Sequence, residues 1–425
     1  MSEKSLSYSA VDAVKTIKSG EITSEALVES CLRRIDLRES SVQAWECIDR
    51  DLALRQARDQ DRQEKTGTLQ GVPIGIKDIV DTDDLPTAYG SPIYSGHQPK
   101  VNAECIKRLK AAGAVIMGKT VTTEFAFLHP GKTRNPHNVE HTPGGSSSGS
   151  AAAVADKHVP LALGTQTAGS IVRPASFCGV VGYKPTYNSF SFEGIHPFAP
   201  SFDTLGGFAR SVEDIVLLRS VLGDDDSSIE SQRPDNIGIM QGPYWENAES
   251  TTRALFAQIS HLLSKAGIKT NLVELPRVFN EINEAHRKVM FGECVQTLGS
   301  LYLNHKEQFS EELIKDYEFG LTLSKSEIED ARMLINKCRE ESTLVFSNYD
   351  LILTPASPGK APKGLGSTGD SVFNKMWTAM GLPCLSLPFP QKENELPLGV
   401  QLVGAFGGDR KLLSSALWFE ELLKR

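Results

Sequence analysis

The run LGTQTAGSIVRPASFCGVVGYKP, residues 163–185, decides how this chain is read. It leaves an apolar strand (PLALG, 160–164), turns at the small residues Ala168 and Gly169, presents Ser170, and re-enters an apolar run (GVVGY, 179–183). Runs of the same texture recur at VPIGI (72–76), AVIM (114–117), NIGIM (236–240), DLILT (350–354), CLSLPF (384–389) and GVQLV (399–403). Helical stretches fit between them, at 103–112, 149–156, 211–222, 248–266, 279–318, 325–346 and 409–424. Strands alternating with helices predict an α/β protein rather than separate α and β domains. No internal repeat and no clear linker interrupts the pattern, so one domain over 1–425 is expected. Its first 65 residues read as a helical wrapping layer. Ala10 to Lys18 stops at Gly20, Thr23 or Ser24 caps a second helix to about Arg38, and a charged third covers Arg50 to Glu64. GDDDSS (223–228) and KGLGSTGDS (363–371) are expected as surface loops.

Composition narrows the function classes. Of 425 residues, 40% are hydrophobic and 23% charged, which suits a globular chain and excludes a disordered or collagen-like one. The net charge of −8 argues against a surface built for nucleic-acid phosphates. No stretch has the ~18 apolar residues of a membrane span. Charges in MSEKSLSYSAVDAVK occupy the place of a signal peptide's apolar core, so a cytoplasmic location is expected. The seven cysteines form no C-x-x-C pair and the nine histidines no H-E-x-x-H motif. Neither metal, disulfide framework nor cofactor is therefore expected.

Two motifs mislead. GAVIMGKT at 113–120 satisfies the phosphate-loop pattern, but its middle residues are apolar and suit a buried strand better than a glycine-rich nest. Gly113 is then the C-cap of the helix before it. GSSSG at 145–149 matches a nucleophile elbow centred on Ser147, yet Pro143 stands where the entering strand should be.

A stronger reading joins three segments: GVPIGIKD (71–78), which puts Lys77 at the end of an apolar strand, the glycine/serine run with Ser146, and the turn carrying Ser170. In open α/β sheets, chemistry gathers at the carboxyl ends of strands. These segments resemble the amidase signature family. TPGGSSSGSAAAVA (142–155) is similar to the first half of that signature and ALGTQTAGSIVRPASFCGVVGYKPT (162–186) to the second. AAGAVIMGKTVTTEFAF, SFDTLGGFARSVED, GLPCLSLPFP and PLGVQLVG extend the likeness along most of the chain.

The resemblance implies one large α/β domain with a central mixed sheet flanked by helices, its signature region lying at about 71–215. It also implies a Ser–Ser–Lys triad: Ser170 as nucleophile, Ser146 as the bridging serine on a cis peptide bond, and Lys77 as base. Ser147 would orient the lysine. Thr167, Ala168, Gly169 and Ser170 would offer backbone N–H groups to an oxyanion. A serine needs a neighbouring base, and an ammonium cannot accept a proton, so Lys77 must be neutral; burial favours that state. Gln166 and Ala168 depart from the more usual GTDTGGS, and Arg173 stands three residues after the nucleophile rather than two. That offset resembles malonamidase-type members, where the arginine grips a substrate carboxylate; an internal salt bridge is the alternative. TRNPHN (133–138) resembles the same branch. The implied activity is hydrolysis of linear carboxamides, with a small carboxylate-bearing amide (malonamate-like) as substrate. Two other readings stand beside it: the glutaminase subunit of a tRNA-dependent amidotransferase, and a non-catalytic binding protein. The partner required is the small amide alone, with neither nucleic acid nor membrane, and a homodimer is allowed.

Overall fold

The computed structural model describes residues 8–223, 228–390, 392 and 395–424. Among these residues, eleven strands hydrogen-bond into one mixed sheet. In chain order they are β1 (Trp45–Cys47), β2 (Pro73–Lys77), β3 (Val115–Thr120), β4 (Leu161–Gln166), β5 (Val181–Lys184), β6 (Thr204–Ala209), β7 (Asn236–Ile239), β8 (Lys269–Leu272), β9 (Leu351–Pro355), β10 (Cys384–Pro388) and β11 (Gly399–Val403). Across the sheet the order is β1-β3-β2-β4-β6-β5-β10-β11-β9-β7-β8. β2 runs parallel to β3 on one side and to β4 on the other, while β6 is antiparallel to both β4 and β5. The chain is thus a single large α/β domain, as expected.

Helices cover both faces, which is why β2, β3 and β4 are buried at every residue and read as unbroken apolar runs. The N-terminal helices Ala10–Ser19, Ser24–Val42 and Arg50–Arg62 begin where their capping residues direct, but the second runs past the expected end near Arg38 to Val42. Thr23 accepts the N–H of Ala26, and Gly20 closes its helix in the left-handed region. This layer does more than wrap, because it also contributes β1, paired antiparallel to β3 at the sheet edge. It is bolted to the core by Arg34 and Arg38, whose guanidinium groups lie 2.6 and 2.8 Å from the Asp156 carboxylate.

Three strands escape the sequence reading: β1, β6 and β8. β6, TLGGFA, lacks strand texture because neighbours crowd it. A Cβ on Gly206 would collide with the Tyr183 carbonyl oxygen, and one on Gly207 would sit 2.5 Å from Leu218. The long helix expected at 279–318 is instead Ile282–Thr297, Gly299–His305 and Glu311–Thr322. Ser310 stops it by taking extended geometry and capping the last of these, its hydroxyl accepting the N–H of Leu313. The phosphate-loop look-alike is a strand: Lys119 lies buried in β3, its Nζ donating to Val80 O and Thr87 Oγ1 at 2.5 and 2.6 Å. Of the two expected loops, most of 223–228 lies outside the described residues. Residues 366–371 of the other line the cavity that Ser170 faces.

Candidate active site

Lys77 is the last residue of β2 and Ser170 follows β4 by four residues, so two adjacent parallel strands deliver them to the same end of the sheet. The glycine/serine run crosses that end just before the helix Ser148–Ala155. The Gly145–Ser146 peptide bond is cis. Lys77 is fully buried, and its Nζ donates to Ser146 Oγ and to Thr165 Oγ1, both at 2.8 Å. Burial pulls its pKa well below 10.5, with the charge of Asp203 opposing. A neutral amine keeps a lone pair, so the Lys77–Ser146 contact can also run from the hydroxyl to nitrogen.

Two expected contacts are placed differently. The resemblance gives Ser147 the task of orienting the lysine, but its hydroxyl donates to Thr165 O at 3.2 Å and accepts the Thr165 N–H at 3.3 Å. The hydroxyl that joins Ser146 on Lys77 belongs to Thr165 itself, a residue of β4. Ser147 therefore reaches the lysine only through Thr165. Nor does Ser170 Oγ hydrogen-bond Ser146 in this state, although the two segments touch through the Ser147 N–H and Ser170 O at 3.4 Å. Catalytic hydrogen bonds often tighten only with substrate present.

Ser170 faces a cavity of about 480 Å³, whose lining does not include the buried Lys77 and Ser146. Thr167, Ala168 and Arg173 share its wall, and Phe127, Met290 and Phe291 supply an apolar side. Among the described residues, the N–H groups of Thr167, Ala168, Gly169 and Ser170 have no acceptor. Such a run of free donors beside a hydroxyl can hold a negative oxygen. Gly169 is required by close approach, since a Cβ there would lie 2.5 Å from Asn374 Oδ1. Gln166 supports the turn: its Oε1 accepts the N–H groups of Ile171 and Val172 at 2.8 and 3.0 Å, and its Nε2 donates to Thr378.

Arg173 is buried in the short helix Val172–Cys178. Its Nη2 donates to Gly145 O (2.6 Å) and Thr368 Oγ1 (3.1 Å), and its Nε has no partner. Burial lowers its pKa to about 10, with Asp370 opposing, so it stays charged at neutral pH. The internal salt bridge considered for it is absent among the described residues. The cavity's other charges include Arg287, 3.5 Å from Asp316, and Glu312, 3.2 Å from His129. Asp370 and Lys375 complete the set without an ion-pair partner among the described residues. Thr165, Asp370, Lys375 and His286 have no signal in the sequence: each reaches the site by tertiary folding rather than by a local pattern. No cluster of metal-ligating side chains occurs among the described residues, and no helix is long and apolar enough to cross a membrane.

Known proteins resemble this chain along most of its length. The model of the Amidase family matches residues 26–413. A subunit of the glutamyl-tRNA(Gln) amidotransferase of Halothermothrix orenii is 32% identical, covering 96% of this chain and 95% of its own. A solved amidase structure superposes with a TM-score of 0.90 at 28% identity, covering 98% of this chain and 100% of its own. The corresponding glutamyl-tRNA(Gln) amidotransferase subunit of Thermotoga maritima superposes with a TM-score of 0.83 at 28% identity, covering 99% and 96%. Sequence and fold agree along nearly the whole length, and the chain belongs to the amidase signature family of enzymes acting on amide C–N bonds.

Proposed function

We propose that this enzyme releases ammonia from the primary amide of a small carboxylate-bearing compound, with glutamine the first candidate, by way of an acyl-enzyme on Ser170. The observation that carries the substrate class is Arg173: a buried cation on the nucleophile's own wall, with Nε unpartnered and no carboxylate at ion-pair distance among the described residues, Asp370 acting on it only from further off. Arginine suits a carboxylate. Glutamine is favoured by the name of the relatives and by Asp370, an acid without an ion pair among the described residues that suits an α-ammonium group. In an amidotransferase, partner chains would receive the ammonia and meet the RNA, consistent with a net charge of −8 on this one.

In this reading Ser170 Oγ attacks the amide carbon as its proton passes to Ser146 Oγ, and the Ser146 proton passes to Lys77 Nζ. The oxyanion is held by the N–H groups of the Thr167–Ser170 turn. The proton then returns along the same path to the departing nitrogen, the C–N bond breaks, and ammonia leaves. Water attacks the ester in the second half, giving its proton to the same relay and freeing the acid and Ser170.

The test measures ammonia release from glutamine, malonamate, a peptide amide and propionamide. Ser170→Ala should abolish turnover, and Lys77→Ala should lose roughly 10²–10⁴-fold. Arg173→Ala should raise KM for acidic amides by about 10–100-fold, the worth of a charge-assisted hydrogen bond, and spare propionamide. Equal losses on both kinds of amide would sink the carboxylate assignment. Malonamate as the better substrate would favour a free-standing hydrolase, a reading supported by Arg173 needing only a carboxylate and not an amino group. Glutamine turnover that rises on adding partner subunits would favour the amidotransferase.

A further inference from the structure

The free N–H groups beside Ser170 belong to peptide units whose opposite ends are held. The Thr167–Ala168 and Ala168–Gly169 peptides are trans, since the cis bond among the described residues is Gly145–Ser146. A trans peptide is planar, with its C=O and N–H pointing opposite ways. Fixing the carbonyl of one residue therefore aims the N–H of the next. His286 Nε2 donates to Thr167 O at 2.8 Å, and Thr378 Oγ1 donates to Ala168 O at 2.7 Å. Both donors come from outside the signature segments, 119 and 210 residues away along the chain.

The two donors are themselves fixed. The His286 ring is fully buried, packs on Phe202 with centroids 4.4 Å apart, and leaves Nδ1 without a partner. Burial lowers its pKa to about 4, with the Thr167 bond opposing and Lys375 assisting. A neutral imidazole carries one proton, and a carbonyl can only accept, so that proton sits on Nε2. Thr378 Oγ1 in turn accepts the Gln166 Nε2 donor at 2.9 Å. A third tie holds the turn's side chain, where Thr167 Oγ1 donates to the buried Asp203 at 2.5 Å.

We propose that His286 and Thr378 are positioning residues that aim the Ala168 and Gly169 N–H groups at the oxygen of the reacting amide. The proposal rests on the reading of Ser170 as nucleophile. The oxyanion develops after substrate binds, so misaimed donors should lower kcat and leave KM nearly alone.

The experiment uses the best substrate of the amide panel. His286→Phe keeps an aromatic ring on Phe202 but removes the donor, and should lower kcat by about 10–100-fold with KM within about two-fold, less than outright loss of an oxyanion donor. His286→Gln, whose amide N–H can reach the same carbonyl, should recover most of that loss. Thr378→Val should behave as His286→Phe, and Thr378→Ser should recover. Should either apolar variant fail to fold, the recovery seen in the conservative pair decides. A folded His286→Phe enzyme with unchanged kcat, or a Gln variant as impaired as Phe, overturns the proposal. Ser170→Ala separates the two levels: an active Ser170→Ala protein overturns the nucleophile reading itself, whereas an inactive one beside an unimpaired His286→Phe overturns the aiming role alone.

Discussion

At the scale of single residues, Lys77 carries a pH signature. Burial pulls its pKa well below 10.5, and only the uncharged amine can take a proton from the serines. The rate should therefore rise with pH through the lysine's lowered pKa, and Lys77→Arg, charged at every working pH, should be inactive. A kcat/KM profile that falls as alkali is added would contradict this assignment. Gly169 makes a second prediction. The crowding of Asn374 Oδ1 leaves no room for a methyl, so Gly169→Ala should shift the turn and cost at least about tenfold in kcat, as read by steady-state kinetics. Lys77, Ser146 and Ser170 are singled out by the family resemblance, each standing within a short signature run, and the fold brings Lys77 and Ser146 into contact. Thr165 is hidden by being one more buried residue of a strand, and Asp370 by lying in a stretch that reads as a solvent loop. The stretch 363–371 is largely exposed, as a surface loop should be, but nothing in a linear pattern announces that its residues 366–371 also line the cavity that Ser170 faces.

At the scale of elements, the turn after β4 depends on Gln166. Gln166 does two jobs that a carboxylate would divide: it accepts two N–H groups where the helix Val172–Cys178 begins, and it donates to Thr378. Gln166→Ala would leave those buried groups unpaired, at about 1–3 kcal/mol, and should lower Tm measurably. Gln166→Glu keeps the acceptors and loses the donor, so it should damage kcat more than Tm; equal effects would argue against a role for Thr378 in aiming the turn. Strands flanked by turn residues and longer than a few apolar positions are readable. β6 is not, because its two central glycines answer to Tyr183 and Leu218 on neighbouring elements. Helix ends are readable wherever a side chain caps them, as at Thr23, and are missed where Ser310 interrupts a continuous helical pattern.

At the scale of the whole molecule, the N-terminal layer and the core meet at Asp156. Burial raises the pKa of this carboxyl, but the His158 ring 3.2 Å away, the hydrogen bonds of Arg38 and the charge of Arg34 outweigh it, leaving the net value lowered. A carboxyl lowered on folding stabilises above its unfolded value of about 3.9 and loses that contribution as pH falls through its folded pKa. Asp156→Asn should thus lower Tm at neutral pH, by the equivalent of about 2 kcal/mol, and differ little from the parent in strong acid. Thermal melts at the two pH values check it. The pairing of β2 with β4 has a consequence in time as well as space. Ile74 faces Leu161 and Gly75 faces Ala162, so the ladder that brings lysine and serine together closes a stretch of more than 80 residues. Contacts so distant along the chain form late and slowly, because their loop-closure entropy must be met first. Helical signal should therefore return early during refolding from denaturant, with enzymatic turnover lagging behind it: this enzyme's activity is a clock for the last long-range pairing of its sheet.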